Sequence, residues 1–324
     1  MAGSKHFRTI WIALICYLVV DTVFGLAVSK LVPNISELSS DLQILISTSF
    51  VYFVQFPIYM FIMGKVEKSE ISGVQKLGVL PLTGWVCTGV AATYIGNIIV
   101  TVFISLFGSD PAESNVIMNV LSNASVLIFI IPIFIAPIVE EIMFRKVLID
   151  RMIKYGDVFA ILISALMFSF VHLNIQQGVY AFTCGIVLAA LYIKTGKIIY
   201  SMICHMVINF IGSGLGVYVT NLVMDIYPSM EEIATMTDEQ MLEFITSHAY
   251  EYIVLVAFAL FILTVSLIGI AYFIYMLVKG QFIGKNNTTE LSRKELLQNT
   301  FMNHGFTAFI VIIIGVNILY SVVD

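Results

Sequence analysis

Two adjacent glutamates stand near the end of a long apolar stretch, in the order Ile-Val-Glu140-Glu141-Ile-Met-Phe-Arg145. Residues 121–139 before them carry no charged side chain, so a helix formed here is committed to the bilayer. An ionised carboxylate at the centre of a membrane costs roughly 2.5–3.5 kcal/mol on insertion scales. Two such groups side by side therefore indicate where the chemistry of this protein takes place.

Helical spacing sorts these side chains into a pair and a free acid. Glu141 and Arg145 are four residues apart, so they share one helix face and can form an ion pair. That pair alone is as consistent with a structural anchor as with a catalytic element. Glu140 is rotated by about 100° from Glu141 and has no partner on its own helix, which suits a carboxylate that accepts a proton from water.

Two later apolar stretches carry polar groups at the same spacing, namely Phe168 with His172 and His205 with Asn209. Taken singly, each has a structural interpretation, such as a satisfied core histidine or an interhelical hydrogen bond. The helical rise places Glu140 and both histidines about 12–22 Å from the cytoplasmic ends of their helices, near the middle of the hydrocarbon layer. One free carboxylate, two histidines and an amide at this depth can activate water and stabilise an oxyanion.

The elements that position these residues are transmembrane helices. The chain has 324 residues, of which 59% are hydrophobic and 11% are charged, whereas a soluble domain is about one quarter charged. We therefore predict an all-α, polytopic transmembrane helix bundle of about eight core spans with a ninth, appended span at the C-terminus. The predicted spans are 9–31, 43–64, 82–107, 121–149, 157–175, 178–194, 198–221, 250–278 and 302–323.

The spans group into four segments. A loop between the seventh and eighth spans carries six acidic residues and no basic one. Pro228 and the helical pattern of Met241, Leu242 and Ile245 predict a short amphipathic helix in this loop. The segments are N-terminal transmembrane helices (1–119), the helices with the three motifs (120–221), an acidic extracytoplasmic loop (222–249) and C-terminal transmembrane helices (250–324).

The charges predict how the protein is oriented. With a cytoplasmic N-terminus, all 16 lysines and arginines except Lys30 fall on the cytoplasmic side, as the positive-inside bias requires. We therefore predict an integral protein of the cell membrane with its N-terminus in the cytoplasm. The acidic outer side excludes nucleic acid as a partner.

The ordered motifs Glu-Glu-x-x-x-Arg, Phe-x-x-x-His and His-x-x-x-Asn, spread over residues 120–215, resemble the CPBP family. This family comprises the CAAX prenyl endopeptidases and their bacterial relatives, called bacteriocin-processing or self-immunity enzymes. The resemblance implies an intramembrane endopeptidase in which Glu140 is the general base and His172 holds the water. It further implies that His205 and Asn209 stabilise the tetrahedral oxyanion.

The remaining motif positions are supporting ones. Glu141 and Arg145 match them, and their spacing suggests a structural pair that orients Glu140, while Phe168 would pack the site. Members of the family have been described both as metalloproteases and as glutamate-dependent proteases, and this sequence leaves the choice open.

A zinc ion would take His172, His205 and Glu140 as ligands, with an open fourth position. No His-Glu-x-x-His motif is present. A mechanism that requires no cofactor is slightly favoured, because Asn209 is a poor zinc ligand and a natural oxyanion donor.

Three functions compete. The preferred one is a membrane-embedded endopeptidase that acts on a peptide or a membrane protein. A catalytically silent scaffold or immunity protein of the same fold is an alternative, although the full catalytic inventory weighs against it. An ion-coupled transporter could use the same acids and histidines as a proton relay, but the sequence shows no inverted repeat. Substrate and oligomeric state cannot be read from the sequence.

Overall fold

The computed structural model describes residues 2–31, 38–107, 121, 123–224, 226, 235–284 and 291–323. Within these residues the chain is helical and forms no strand, which confirms the predicted all-α bundle. The helices are α1 (Ala2–Leu31), α2 (Ser40–Met63), α3 (Val79–Leu106), α4 (Val126–Tyr155), α5 (Asp157–Phe170), α6 (Ile175–Thr195), α7 (Ile198–Val223), α8 (Asp238–Ser247), α9 (Ala249–Val278), α10 (Arg293–Phe301) and α11 (His304–Val323).

Most of the predicted spans are present as single long helices. Seven helices in the described residues are long and apolar enough to cross a membrane, and α10 with α11, bent by 49°, would make an eighth. Helix α5 has 14 residues and is therefore about 21 Å long, well short of a hydrocarbon layer of roughly 30 Å. The predicted fifth span, 157–175, is thus too long.

The chain ends α5 early because the next residues begin a new helix. Leu173 adopts a left-handed conformation with φ of 51°, which a continuous helix does not allow. The side chain of Asn174 then caps α6 by accepting a hydrogen bond of 2.9 Å from the Gln177 backbone N–H. His172 consequently lies in the turn between two helices and not within a continuous span.

Helix α6 lies at the centre of the bundle. Of its most apolar stretch, 72% is buried, and it packs against α3, α4, α5 and α7. Small residues allow close approaches: a Cβ atom added to Gly185 would lie 3.1 Å from the Cα atom of Ala165 in α5. Helix α4 contacts α2, α5, α6 and α7, so the helices with the motifs form one group around α6.

The C-terminal helices are part of the same core. Trp11 of α1 donates a hydrogen bond of 2.9 Å to the Thr300 carbonyl of α10. Its ring centroid lies 5.0 Å from that of Phe306 and 5.0 Å from that of Phe309 in α11, and Phe309 is fully buried. Helices α10 and α11 therefore supply the predicted additional C-terminal span, and α1 holds them against the bundle.

The acidic loop contains the short helix that its pattern predicts. Helix α8 begins with a capping box in which Thr237 and Gln240 bond reciprocally, and its apolar Leu242 and Ile245 are exposed. Pro228 and three of the six acidic residues of this loop lie outside the described part of the chain. These three are Asp225, Glu231 and Glu232.

Candidate active site

The two glutamates lie between two widened turns of α4. Ala136–Glu141 is regular α-helix, whereas Ile131–Ile135 before it and Ile142–Ile149 after it are π-helical. In the first widened turn, the Pro132 carbonyl has no backbone donor among the described residues. The Ala136 N–H bonds to the Ile131 carbonyl instead of the Pro132 carbonyl, and Pro137 has no N–H to offer. Neither residue therefore donates to the Pro132 carbonyl, and π-helical turns of this kind often mark functional sites.

Asn209 of α7 supplies the missing donor. Its Nδ2 atom lies 2.8 Å from the Pro132 carbonyl oxygen, so the amide ties α7 to the first widened turn of α4, about two helical turns before the glutamates. An asparagine amide has two N–H groups. One of them is used here, which fixes the orientation of the side chain and leaves the second for an incoming oxygen. Directly after Asn209, α7 also widens into a π-helical segment, Phe210–Gly216.

Neighbouring side chains also bond to carbonyls of the second widened turn. The Tyr59 hydroxyl of α2 donates to the Met143 carbonyl at 3.2 Å. The Ser164 hydroxyl of α5 donates to the Phe144 carbonyl at 2.8 Å. Buried carbonyls that lose a regular helical partner need such donors, so α2 and α5 hold this part of α4 in place.

Glu141 is fully buried in an ion-pair network. One of its carboxylate oxygens lies 3.2 Å from Arg145 Nε and the other lies 3.0 Å from His205 Nδ1. Arg145 in turn donates a hydrogen bond of 2.7 Å to the Ser164 hydroxyl. Burying charged groups is costly unless they are paired and hydrogen-bonded. Both charges of this network are paired and each makes a hydrogen bond, although Glu141 Oε2 and Arg145 Nε meet as an ion pair without hydrogen-bond geometry. The pair predicted from sequence is present, and Glu141 connects it to His205 of α7.

His205 lies between the two glutamates. Because a carboxylate only accepts hydrogen bonds, the Nδ1 atom that faces Glu141 carries a proton. On the opposite edge of the ring, Nε2 lies 3.6 Å from the nearer carboxylate oxygen of Glu140. This separation is longer than a hydrogen bond and leaves Glu140 within one water molecule of the ring. Glu140 is 29% exposed, so its carboxylate is accessible.

His172 is oriented by the end of α5. Its Nδ1 atom lies 2.6 Å from the Phe168 carbonyl oxygen, so Nδ1 is the donor and Nε2 of the neutral ring is an acceptor. The Phe168 ring packs edge-on against both histidines, with centroids 5.0 Å from His172 and 5.6 Å from His205. The Arg145 guanidinium lies 4.9 Å above the same ring. His172 is also within electrostatic range of Glu140 and His205.

The structure therefore brings six of the seven predicted side chains into one cluster, while Asn209 follows His205 by one turn of α7 and bonds to the Pro132 carbonyl. Helix α4 contacts both α5 and α7, while α5 reaches α7 through the Phe168–His205 contact. This agrees with the expectation that the three helices meet around one polar site.

A polar cluster from α1 and α2 also approaches Glu140, and the sequence reasoning missed it. Gln55, fully buried in α2, donates a hydrogen bond of 2.6 Å to Asp21 of α1. Tyr17 and Tyr52 of the same two helices lie within electrostatic range of Glu140. The available signal was Asp21 itself, an ionisable residue inside an apolar span, which is costly for the same reason as the glutamates.

A cavity of about 460 Å³ adjoins the site between α3, α6, α7 and α9. Asn209 forms part of its wall, as does Tyr180, which is within electrostatic range of Glu140. The cavity therefore lies directly beside the candidate catalytic residue Asn209. Its lining includes Thr93, Tyr94, Asn97, Ile208, Gly212, Ser213, Val219, Leu255 and Phe258.

The described residues do not assemble a metal centre. Among them, no group of three or more His, Cys, Asp or Glu side chains is arranged to hold a metal ion. The ligand set His172, His205 and Glu140 is therefore not formed in this arrangement. The prediction that no cofactor is required stays a prediction.

Fold and site together are those of a polytopic membrane protein with an acid–imidazole centre inside its helix bundle. Residues 122–211 match the family model of the type II CAAX prenyl endopeptidase Rce1-like proteins. Over 103 residues the chain is 30% identical to the protein named "Putative membrane peptidase YdiL" of Bacillus subtilis (strain 168). That alignment covers 32% of this chain and 42% of the relative, so less than half of the relative is spanned.

No solved structure matches the chain significantly. The matched segment includes all three motifs, and the resemblance predicted from them is confirmed. Over residues 122–211 the chain is therefore similar to the CAAX-protease-like proteins.

Proposed function

We propose that the protein is an intramembrane endopeptidase that hydrolyses a peptide bond of a peptide or membrane protein with water activated by Glu140. The observation that carries the proposal is the arrangement around His205. Glu141 holds one edge of its ring at 3.0 Å, and the accessible Glu140 lies 3.6 Å from the other edge. A carboxylate and an imidazole one water apart are within reach for general acid–base catalysis.

The reaction follows from the donors and acceptors in place. A water molecule that donates to His172 Nε2 gives its other proton to Glu140 as its oxygen attacks the scissile carbonyl carbon. In the complex with the oxyanion, the His205 ring donates Nδ1–H to Glu141 and Nε2–H to the oxyanion. The second N–H of Asn209 is the other oxyanion donor. When the C–N bond breaks, Glu140 returns its proton to the leaving nitrogen.

The location completes the proposal. We place the protein in the cell membrane with the N-terminus in the cytoplasm, on the basis of the sorted positive charges. No separate partner is invoked beyond the substrate and the bilayer. A silent scaffold or an ion-coupled transporter would use the same residues without breaking a bond, so the decisive property is cleavage.

The test compares new protein termini in the membranes of cells that express the parent chain or Glu140→Gln. Glutamine keeps the size of the side chain but cannot accept the proton, so we expect new termini only with the parent. Removal of a general base typically lowers the rate by about 10²–10⁴-fold. The matched control is Glu239→Gln in the exposed helix α8, which should cleave like the parent. Identical termini in Glu140→Gln and parent membranes would contradict the proposal.

A further inference from the structure

The cavity beside Asn209 has a mainly apolar lining that contains several polar side chains. Thr93, Tyr94 and Asn97 of α3 line one side, and Ser213 of α7 lines another, together with apolar residues of α7 and α9. A hydrocarbon chain provides no partner for such groups, and unpaired polar groups are unfavourable in the membrane core. The natural occupant therefore has apolar surface and hydrogen-bonding groups.

Asn97 is the most specific indication of what that occupant offers. Its Oδ1 atom is buried and accepts no hydrogen bond from the described part of the chain. Buried side-chain oxygens are almost always paired. An unpaired acceptor on the wall of a cavity points to a donor that arrives with a ligand.

Gly212 shows that the cavity reaches the backbone of α7. A Cβ atom added to Gly212 would meet nothing within 4 Å, whereas one added to Gly214 would lie 3.2 Å from Ile133. The open side of α7 therefore faces the cavity at Gly212, next to Asn209. An extended chain has room to approach the helix there.

We propose that this cavity binds an extended segment of the substrate peptide beside the scissile bond, and that Asn97 Oδ1 accepts a hydrogen bond from one of its backbone N–H groups. A peptide combines apolar side chains with regularly spaced donors, which matches the lining, while an acyl chain supplies only the apolar part. The proposal rests on the proposed function for the scissile bond. Binding itself does not require hydrolysis.

The test measures binding in the Glu140→Gln background, where no cleavage interferes. The probe is a fluorescently labelled synthetic peptide of alanine, leucine and valine, and the protein is in lipid nanodiscs. Because recognition involves the peptide backbone, this generic probe should bind saturably. Asn97→Leu keeps a side chain of similar size without the acceptor, and we expect about tenfold weaker binding.

Ester analogues of the probe identify the hydrogen bond. Each backbone amide is replaced in turn by an ester, which lacks the N–H donor. One position should lose about tenfold in affinity with Asn97 present and nothing with Asn97→Leu. An ordered water at Asn97 instead of a peptide N–H would make the protein insensitive to every ester.

A substitution at Gly212 tests whether the probe occupies the cavity. Gly212→Phe fills the cavity and should weaken the probe by at least tenfold. Gly315→Phe in α11 is the matched control, because a Cβ atom there also meets nothing within 4 Å, and it should leave binding unchanged.

Three results would overturn the inference: no saturable binding, binding indifferent to Asn97→Leu and Gly212→Phe, or no ester position coupled to Asn97. Displacement of the probe by a fatty acid with equal strength in Asn97→Leu would assign the cavity to lipid instead. Failure of the proposed function gives a different pattern, with Asn97-dependent binding but no cleavage by the parent chain.

Discussion

At the scale of single residues, the site depends on a buried charge pair that supports a histidine. Glu141→Gln leaves the buried Arg145 without its counter-charge, which typically costs about 3–5 kcal/mol of unfolding free energy. The double variant Glu141→Leu/Arg145→Met removes both charges, so it should recover most of that stability. It should not recover cleavage, because His205 loses the acceptor at Nδ1. Thermal unfolding and cleavage rates in nanodiscs measure the two effects, and recovery of both together would contradict a positioning role.

His205 and Asn209 are expected to act as one unit on the oxyanion. Loss of a single oxyanion donor typically lowers the rate by about 10²–10³-fold. Because both donors would bind the same oxygen, the loss in His205→Ala/Asn209→Ala should be much smaller than the product of the single losses. Cleavage rates of the three variants decide this. Independent, multiplicative losses would count against a shared role.

Whether cleavage requires a zinc ion also depends on single residues. We expect cleavage to survive prolonged treatment with a zinc chelator, because the described residues hold no group of three or more His, Cys, Asp or Glu side chains arranged to bind a metal ion. Metal analysis of the purified protein accompanies the assay. Stoichiometric zinc that disappears in His172→Ala, with activity restored by added zinc, would show that this expectation is wrong.

At the scale of helices, the first widened turn of α4 leaves the Pro132 carbonyl free to accept the hydrogen bond from Asn209. Pro137→Ala adds an N–H at the position from which it can reach the Pro132 carbonyl, in competition with Asn209. We expect slower cleavage with the stability of the fold retained, and a smaller additional loss on Asn209→Ala than in the parent. Pro81→Ala, in the first turn of α3 where proline is tolerated, is the control. Cleavage rates of Pro137→Ala, Asn209→Ala, the double variant and Pro81→Ala test whether the widened turn positions Asn209. A Pro137→Ala protein with parental rates would exclude this.

The sequence predicted the helices well where hydrophobic length alone determines them, as in α1, α3 and α9. It failed at α5, because apolar composition continues past Phe170 while the left-handed Leu173 and the Asn174 cap divide the stretch. It also placed Glu140, His172 and His205 together, since polar groups inside a membrane have few alternatives to one another.

Other features of the site could not be predicted in this way. The widened turns of α4 depend on which N–H bonds to which carbonyl, and helical spacing assumes that every turn is regular. The contacts from Asp21 and Gln55 join helices that are remote in sequence from the motifs. The cavity is likewise a property of how α3 and α9 pack against α7, which no single stretch of sequence encodes.

At the scale of the whole molecule, the arrangement of helices predicts which ends share a side of the membrane. If α5 and α6 enter the membrane and return to the same side as a hairpin, Lys5 and Glu239 lie on opposite sides of the membrane. Lys5→Cys should then be labelled by an impermeant thiol reagent only in opened cells, and Glu239→Cys should be labelled in intact cells. The parent cysteines give little background, since Cys87, Cys184 and Cys204 are buried and Cys16 is half-buried. Labelling of both positions under the same condition would disprove this topology.

The shortness of α5 bears on how the reaction obtains its second substrate. Every peptide bond that is broken consumes one water molecule, and hydrocarbon contains almost none. With its Asp157 end at the membrane surface, a helix of 14 residues ends about 9 Å before the far side of the hydrocarbon layer. The polar turn that carries His172 then lies beneath a locally thinned or hydrated patch of bilayer. The shortness of α5 would thereby let water reach the turn that carries His172 from the far side of the membrane.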